Sequence, residues 1–330
     1  METMTAHRRS MTQLVRRHLR QREIIGAAGG EVTGGGPLAL GVPGITTGPG
    51  GEVAVDGERC APAYRSLSDL LGTDAYFADV AAVTARHGQG YDPVLYHAFR
   101  DFLPPRRKNS GRCVTAGTPA HDRAQSRDHL FADLVVYQPG ILPGGEPFRS
   151  TGHWNLPGQL EIFQTLTGRV LMLVGGRTGD GRAFLYEQIC GPGDVMVVPF
   201  DIWHVTYVLD GPAVVFNLTT EVSGTHGRVD AHPGEEKYHR ASPIAITARR
   251  DEERHEFVGS PEDWCTWGRP AEPPRTDWLR TFLAPGESLA DLHLYASPDR
   301  LAALERMARH AYRLNWPYDG GPTKPAGIHH

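Results

Sequence analysis

Several things are scarce in this chain. Its 330 residues include only four cysteines, Cys60, Cys113, Cys190 and Cys265. They lie far apart with no CxxC, so the sequence encodes neither a disulfide framework nor a thiolate metal knuckle. Reduced, buried thiols in a cytoplasmic protein are expected. No apolar run reaches the roughly 18 residues of a membrane span. The net charge of -4 carries no basic excess that would point to nucleic acid or an acidic membrane surface. There is no internal repeat. The runs Gly34-Gly35-Gly36 and Gly175-Gly176 lack the strand–helix setting of a phosphate loop, which removes a nucleotide-binding role.

Glycine and proline, by contrast, are abundant at 39 and 26 residues, which suits a turn-rich β fold better than a helical one. The opening residues 1–36 form a basic segment, with Arg8, Arg9, Arg16, Arg17, Arg20 and Arg22, running into a glycine-rich linker. Residues 37–225 read as one domain. Leu38 to Val55 is punctuated like a pair of short strands. Ser66 or Ser68 caps a short helix, Phe77 to His87 has helical spacing, and Asp92 to Tyr96 begins a strand. Leu103 to Ser126 is polar, rich in proline and arginine, and reads as an irregular insertion. Leu130 to Tyr137, Ile162 to Val174 and Val195 to Val198 are strand-like. Val205 to Leu209 and Ala213 to Thr219 flank Asp210-Gly211-Pro212 as a hairpin would. Many short strands with Gly/Pro turns predict a jelly-roll barrel, a mainly β fold type that includes cupins, with residues 50–100 wrapped around it. Residues 226–330 form a C-terminal extension, partly helical. Ser297-Pro298-Asp299 starts a helix there whose Leu301, Leu304, Met307, Ala308 and Ala311 recur as a packing stripe.

Within the barrel, Gly152-His153-Trp154-Asn155 and Glu161 are answered by Trp203-His204. Two imidazoles and a carboxylate from neighbouring strands make a two-His-one-carboxylate set for one divalent metal, Fe, Mn, Ni or Zn. Asn155 is a fourth ligand, a donor behind the ligands, or a substrate contact. Trp154 and Trp203 pack beside the site, and Trp154 is a candidate for stacking on substrate. Asp194 belongs to a turn, and His226, His232 and His239 to solvent. Arg169 and Arg177 are ordinary exposed arginines.

The segment from about Tyr64 to Thr220 resembles the cupin-type glucose-6-phosphate isomerases known mainly from archaea. The resemblance rests on Arg65-Ser66-Leu67-Ser68-Asp69 with Tyr76-Phe77, Asp92 to Tyr96, Leu134 to Gly140, Ser150-Thr151-Gly152-His153, and Gly191-Pro192-Gly193-Asp194-Val195 to His204. It implies a cupin barrel and a metal held by His153, Glu161 and His204, with Asn155 at the position of a further ligand and Glu161 and His204 at the catalytic centre. It also implies a sugar-phosphate substrate in carbohydrate metabolism, phosphate contacts from Ser150 and Thr151, and a homodimer. The family has a histidine where this chain has Asn155, and one residue more before the glutamate. Its tyrosine after the last strand is replaced here by Ser223-Gly224-Thr225-His226, and Leu134 stands where a phosphate-binding threonine is expected.

Three functions fit these residues. The first is a metal-dependent aldose–ketose isomerase working through an enediol-type step, in which Glu161 serves as ligand or as base. The second is a divergent metal cupin of secondary metabolism, a non-haem Fe(II) oxygenase or a rearrangement enzyme. The third is a cupin that only binds its ligand.

Overall fold

A computed structural model describes residues 52–100 and 102 apart from position 56, then 130–156, 159–178, 181–220, 241–251 and 254–259. It also describes most of 276–315, a few isolated positions, and two short strands near residues 38 and 46. The basic segment, the 103–126 stretch, Cys113, Cys265, residues 223–225 and the histidines at 226, 232 and 239 lie outside the described residues.

The protein is mainly β, and its centre is a jelly-roll barrel. Four short strands, β1 (Leu38–Ala39), β2 (Ile45–Thr47), β3 (Val53–Val55) and β4 (Glu58–Cys60), form a small antiparallel sheet, where the sequence suggests two. The barrel is built from β5 (Ala63–Ser66), β6 (Val94–Phe99), β7 (Leu130–Tyr137), β8 (His153–Trp154), β9 (Glu161–Arg177), β10 (Ala183–Cys190), β11 (Val195–Val198) and β12 (Trp203–Thr220). Their order is β10-β9-β12-β7-β6-β5, with β11 on β9 and β8 on β12. The N-terminal segment thus wraps the barrel by adding two strands to its edge. Strand β10 is not evident from the sequence; it returns along β9 from Ala183 opposite Arg177 to Cys190 opposite Val170. A hairpin of β13 (Ile246–Asp251) and β14 (Arg254–Gly259) is likewise unforeseen.

Two short helices lie between β5 and β6. Helix α1 (Leu67–Leu71) opens on a capping box, in which Ser66 accepts from the Asp69 amide and Asp69 accepts from the Ser66 amide. Helix α2 (Val80–His87) begins at Val80 rather than Phe77, because the Asp79 carboxylate caps the Ala82 amide and the chain before it is held by an ion pair. That pair, Glu146 with Arg149, is wholly buried at 2.6 Å. Arg149 also donates to the Tyr76 carbonyl and lies between the rings of Phe77 and Tyr207. Glu146 takes the Ala78 amide at 3.2 Å.

Side chains of the central strands alternate cleanly. On β7, Leu130, Ala132, Leu134 and Val136 join one hydrophobic cluster, while Val135 and Tyr137 join another. The second cluster fills the barrel. The first covers the outside of the sheet and is completed by Leu279, Leu292, Leu304 and Ala308. Those four residues belong to the C-terminal helices α3 (Asp277–Phe282), α4 (Leu289–Tyr295) and α5 (Pro298–Asn315). The three helices bury the outer face of β7, β9 and β12. Helix α5 starts as its sequence dictates: Ser297 Oγ accepts from the Arg300 amide at 3.3 Å. A third cluster, with Trp154, Leu171, Trp203, Val205 and Tyr207, covers β8 and the other halves of β9 and β12 under Ile244, Ile246 and Trp267. Among the described residues no helix is long and apolar enough to cross a membrane.

The expected hairpin at Asp210-Gly211-Pro212 is not one. Residues Trp203 to Thr220 form a single bent strand, with register shifts between Val208 and Val215, and β9 follows it along both halves. Turn-forming residues here make a bulge because β9 supplies a continuous partner. The bend centres on Gly168, whose φ is +70 and whose Cβ would meet the Ala213 Cα and the Pro212 carbonyl at 2.7 Å. Gly168→Ala is therefore expected to cost roughly 1–3 kcal/mol, read as a lower urea midpoint. An unchanged midpoint would show that the bend does not need glycine.

Candidate metal centre

The site is assembled by strand register. Strand β8 pairs with β12 so that His153 lies opposite His204 and Trp154 opposite Trp203. The histidines face the barrel interior and the tryptophans join the outer cluster. Gly152 allows the approach: its φ is +74, and a Cβ there would stand 2.8 Å from the His204 carbonyl. Glu161 begins β9, opposite Thr219. The bend of the β9–β12 ribbon carries it back over His204.

The three side chains converge. One potential ligand atom from each of His153, Glu161 and His204 lies within 4.8 Å of the others. Glu161 Oε2 is 3.1 Å from His204 Nε2 and 3.5 Å from His153 Nε2. The two rings meet edge to face at 4.4 Å between centroids, and Phe163 packs on His204 at 5.1 Å. The other carboxylate oxygen, Oε1, accepts from Asn217 Nδ2 at 3.0 Å and Thr219 Oγ1 at 3.2 Å. Those donors fix the carboxylate and leave Oε2, which is buried without a hydrogen-bond partner, turned to the imidazoles. Burial holds both histidines below their ordinary pKa. At His153 the Glu161 carboxylate opposes this and the Arg100 charge reinforces it, while His204 is pushed well down with help from His153. Neutral imidazoles and a partnerless carboxylate oxygen are what a divalent cation requires of its donors. The donor set fits a metal ion of the Fe, Mn, Ni or Zn type.

Above the three residues opens a cavity of about 380 Å³. Its wall includes Ser150 and Thr151, with Tyr96, Tyr137, Thr206 and Arg100. Ser150 Oγ accepts from the Thr206 amide at 3.0 Å, and Thr151 Oγ1 lies 3.5 Å from the Tyr96 hydroxyl. Burial raises the pKa of Tyr137 far above the ordinary phenol value, so it stays protonated. Asn155 and Trp154 are not among the residues lining this cavity. Asn155 is completely buried, and its Nδ2 donates to the Val198 and Pro199 carbonyls at 3.2 Å each. Sequence reasoning overlooks Asn217, Thr219, Asp133 and Arg100. Three of them carry a signal: Asp133, Asn217 and Thr219 are polar residues at inward positions of otherwise apolar strands, and a buried polar group has a partner to serve.

No family model matches the chain, and no curated relative matches it. Among solved structures it is similar to peruvianin-I, a cysteine peptidase from Thevetia peruviana latex, at 20% identity over 28% of this chain and 49% of that one, with a TM-score of 0.22. It is similar to a recombinant oxalate oxidase in complex with glycolate at 18% identity, over 27% and 40% of the two chains, with a TM-score of 0.22. An oxalate decarboxylase matches at 19% identity over 38% of this chain and 26% of the other, with a TM-score of 0.25. The chain thus spans half or less of each of these proteins. At such TM-scores they say nothing about its chemistry.

If the three residues are the ligands, His204→Ala removes a donor from a three-donor set and most of the bound metal should be lost at neutral pH. Metal content by mass spectrometry checks this against the unaltered protein. Equal loading of the two would contradict the ligand assignment.

Proposed function

We propose that the protein is a metal-dependent cupin enzyme that interconverts a small phosphorylated aldose and ketose. The supporting observation is the convergence of the two histidine Nε2 atoms on one oxygen of Glu161 at the floor of a polar cavity. A divalent cation held there would act as a Lewis acid, polarising a hydroxyl and a carbonyl oxygen of the substrate.

The chain's own groups then have distinct tasks. His153 and His204 present neutral nitrogens. Glu161 is a ligand rather than a base, because Asn217 and Thr219 hold one oxygen and the other faces the imidazoles. Asn155 steadies the ligand strand from behind: its amide ties β8 to the Val198 and Pro199 carbonyls. Tyr137, kept protonated by burial, can donate a hydrogen bond to a substrate oxygen but cannot take a proton from carbon. The Tyr96 hydroxyl on the cavity wall, 3.5 Å from Thr151 Oγ1, can take a proton from one substrate oxygen as it gives its own to another. Ser150 and Thr151 border the space the substrate phosphate would fill.

One observation favours a second reading, a non-haem Fe(II) oxygenase or rearrangement enzyme. Asn155 gives its Nδ2 to backbone carbonyls while its Oδ1 is buried without a hydrogen-bond partner, and the ligand atoms that meet are those of two histidines and one carboxylate. That set leaves positions open for substrate and O2 together. The cavity carboxylate outside the set, Asp69, is engaged in capping α1.

Purified protein loaded in turn with Fe, Mn, Ni or Zn should interconvert glucose 6-phosphate and fructose 6-phosphate, and a chelator should abolish the reaction. A folded, metal-loaded protein inactive on these and on mannose 6-phosphate would overturn the isomerase. Consumption of O2 with a turned-over substrate would establish the second reading instead.

A further inference from the structure

A cation lines the cavity beside the metal centre. Register shows why. Arg65 lies opposite Tyr96, Tyr96 opposite Tyr137, and Ala98 opposite Val135. Side chains at alternate positions share a face, so Arg100, following β6, continues the row of Tyr96 and Ala98 into the interior. There it meets Asp133, the inward neighbour of Val135 on β7. Arg100 Nη1 donates to Asp133 Oδ2, and Asp133 is nearly inaccessible, with 3% of its side chain exposed. The Arg100 side chain remains 57% exposed, and it lines the cavity together with Arg65. Its charge reaches His153. A guanidinium carries five N–H donors in a fixed fork. Asp133 anchors one nitrogen of it, and the anchoring aims the group rather than consuming it.

The geometry points to Arg100 as the residue that selects an anionic substrate, binding a carboxylate or phosphate group while the metal centre holds a neighbouring oxygen of the same small molecule. The inference rests on the metal-centre reading and adds to it a substrate class and the residue that reads it. An arginine is suited to this role because its fork matches two anionic oxygens at once. The cavity, at about 380 Å³, lies toward the small end of ligand sites. Arg65 on the facing strand adds a second cation on the same wall.

The test is titration calorimetry of the metal-loaded full chain with three probes: inorganic phosphate, glycolate, and the neutral glycolamide. Arg100→Met should weaken binding of the preferred anion roughly 10- to 100-fold, with metal content unchanged and glycolamide binding unaltered. Arg100→Lys keeps a charge beside Asp133 and should fall between the two. The stronger of phosphate and glycolate identifies the anionic group. Equal anion affinity in the native protein and in Arg100→Met would overturn the proposal, as would equal loss of anion and glycolamide. Should Arg100→Met not fold, the Arg100→Lys series carries the decision: phosphate and glycolate affinity indistinguishable from native would overturn it. Repeating the anion titrations on metal-free protein separates the two readings. Arg100-dependent binding in a chain that takes up no metal would refute the metal centre and leave the anion site standing.

Discussion

The bend in the β9–β12 ribbon is the constraint on which the site depends. Glu161 and His204 stand near opposite ends of that ribbon, Glu161 opposite Thr219 and His204 opposite Val174. In a straight two-stranded ribbon they would be about 13 residues of strand apart, on the order of 40 Å at about 3.3 Å per residue. Folding the ribbon on itself at Gly168 and the bulge opposite it brings them to 3.1 Å. The barrel is thus the device that turns sequence-distant residues into one donor set. The apolar alternation that drives the folding also decides which residues face inward.

That interior is an expensive place for charge. A carboxylate taken out of water costs several kcal/mol unless compensated, and the structure shows where compensation comes from. Asn217 and Thr219 satisfy one oxygen of Glu161, and Asp133 is matched by Arg100. The second oxygen of Glu161 has no hydrogen-bond donor of its own, and the two neighbouring imidazoles are held neutral by the same burial. A divalent cation would balance all three groups together.

Much of this is legible in the sequence because the barrel obeys simple periodicities. Leu130 to Tyr137 is a strand with the predicted bounds, Ser66 caps α1, and Ser297-Pro298 starts α5. His153, Glu161 and His204 can be paired from motif spacing alone, and they meet. What escapes sequence reasoning are features set by distant partners. Asp210-Gly211-Pro212 has the local chemistry of a hairpin, but β9 runs past it unbroken. Phe77 has helical spacing, but the buried Arg149 holds Tyr76 and Phe77 outside α2. Asn155 occupies a ligand's place in the motif, yet only the approach of Val198 and Pro199 reveals where its amide is bound. Arg100 sits one residue beyond β6, and although alternation with Tyr96 and Ala98 gives its face, only the buried Asp133 of β7 shows why a cation stands there.

X-ray absorption spectroscopy of the metal-loaded protein tests the central claim most directly, because it reports the donors themselves. A shell of nitrogen and oxygen at roughly 2.0–2.2 Å, with the outer-shell scattering of two imidazoles and none from sulfur, is the predicted result. A spectrum without imidazole scattering, or with sulfur in the first shell, would contradict it.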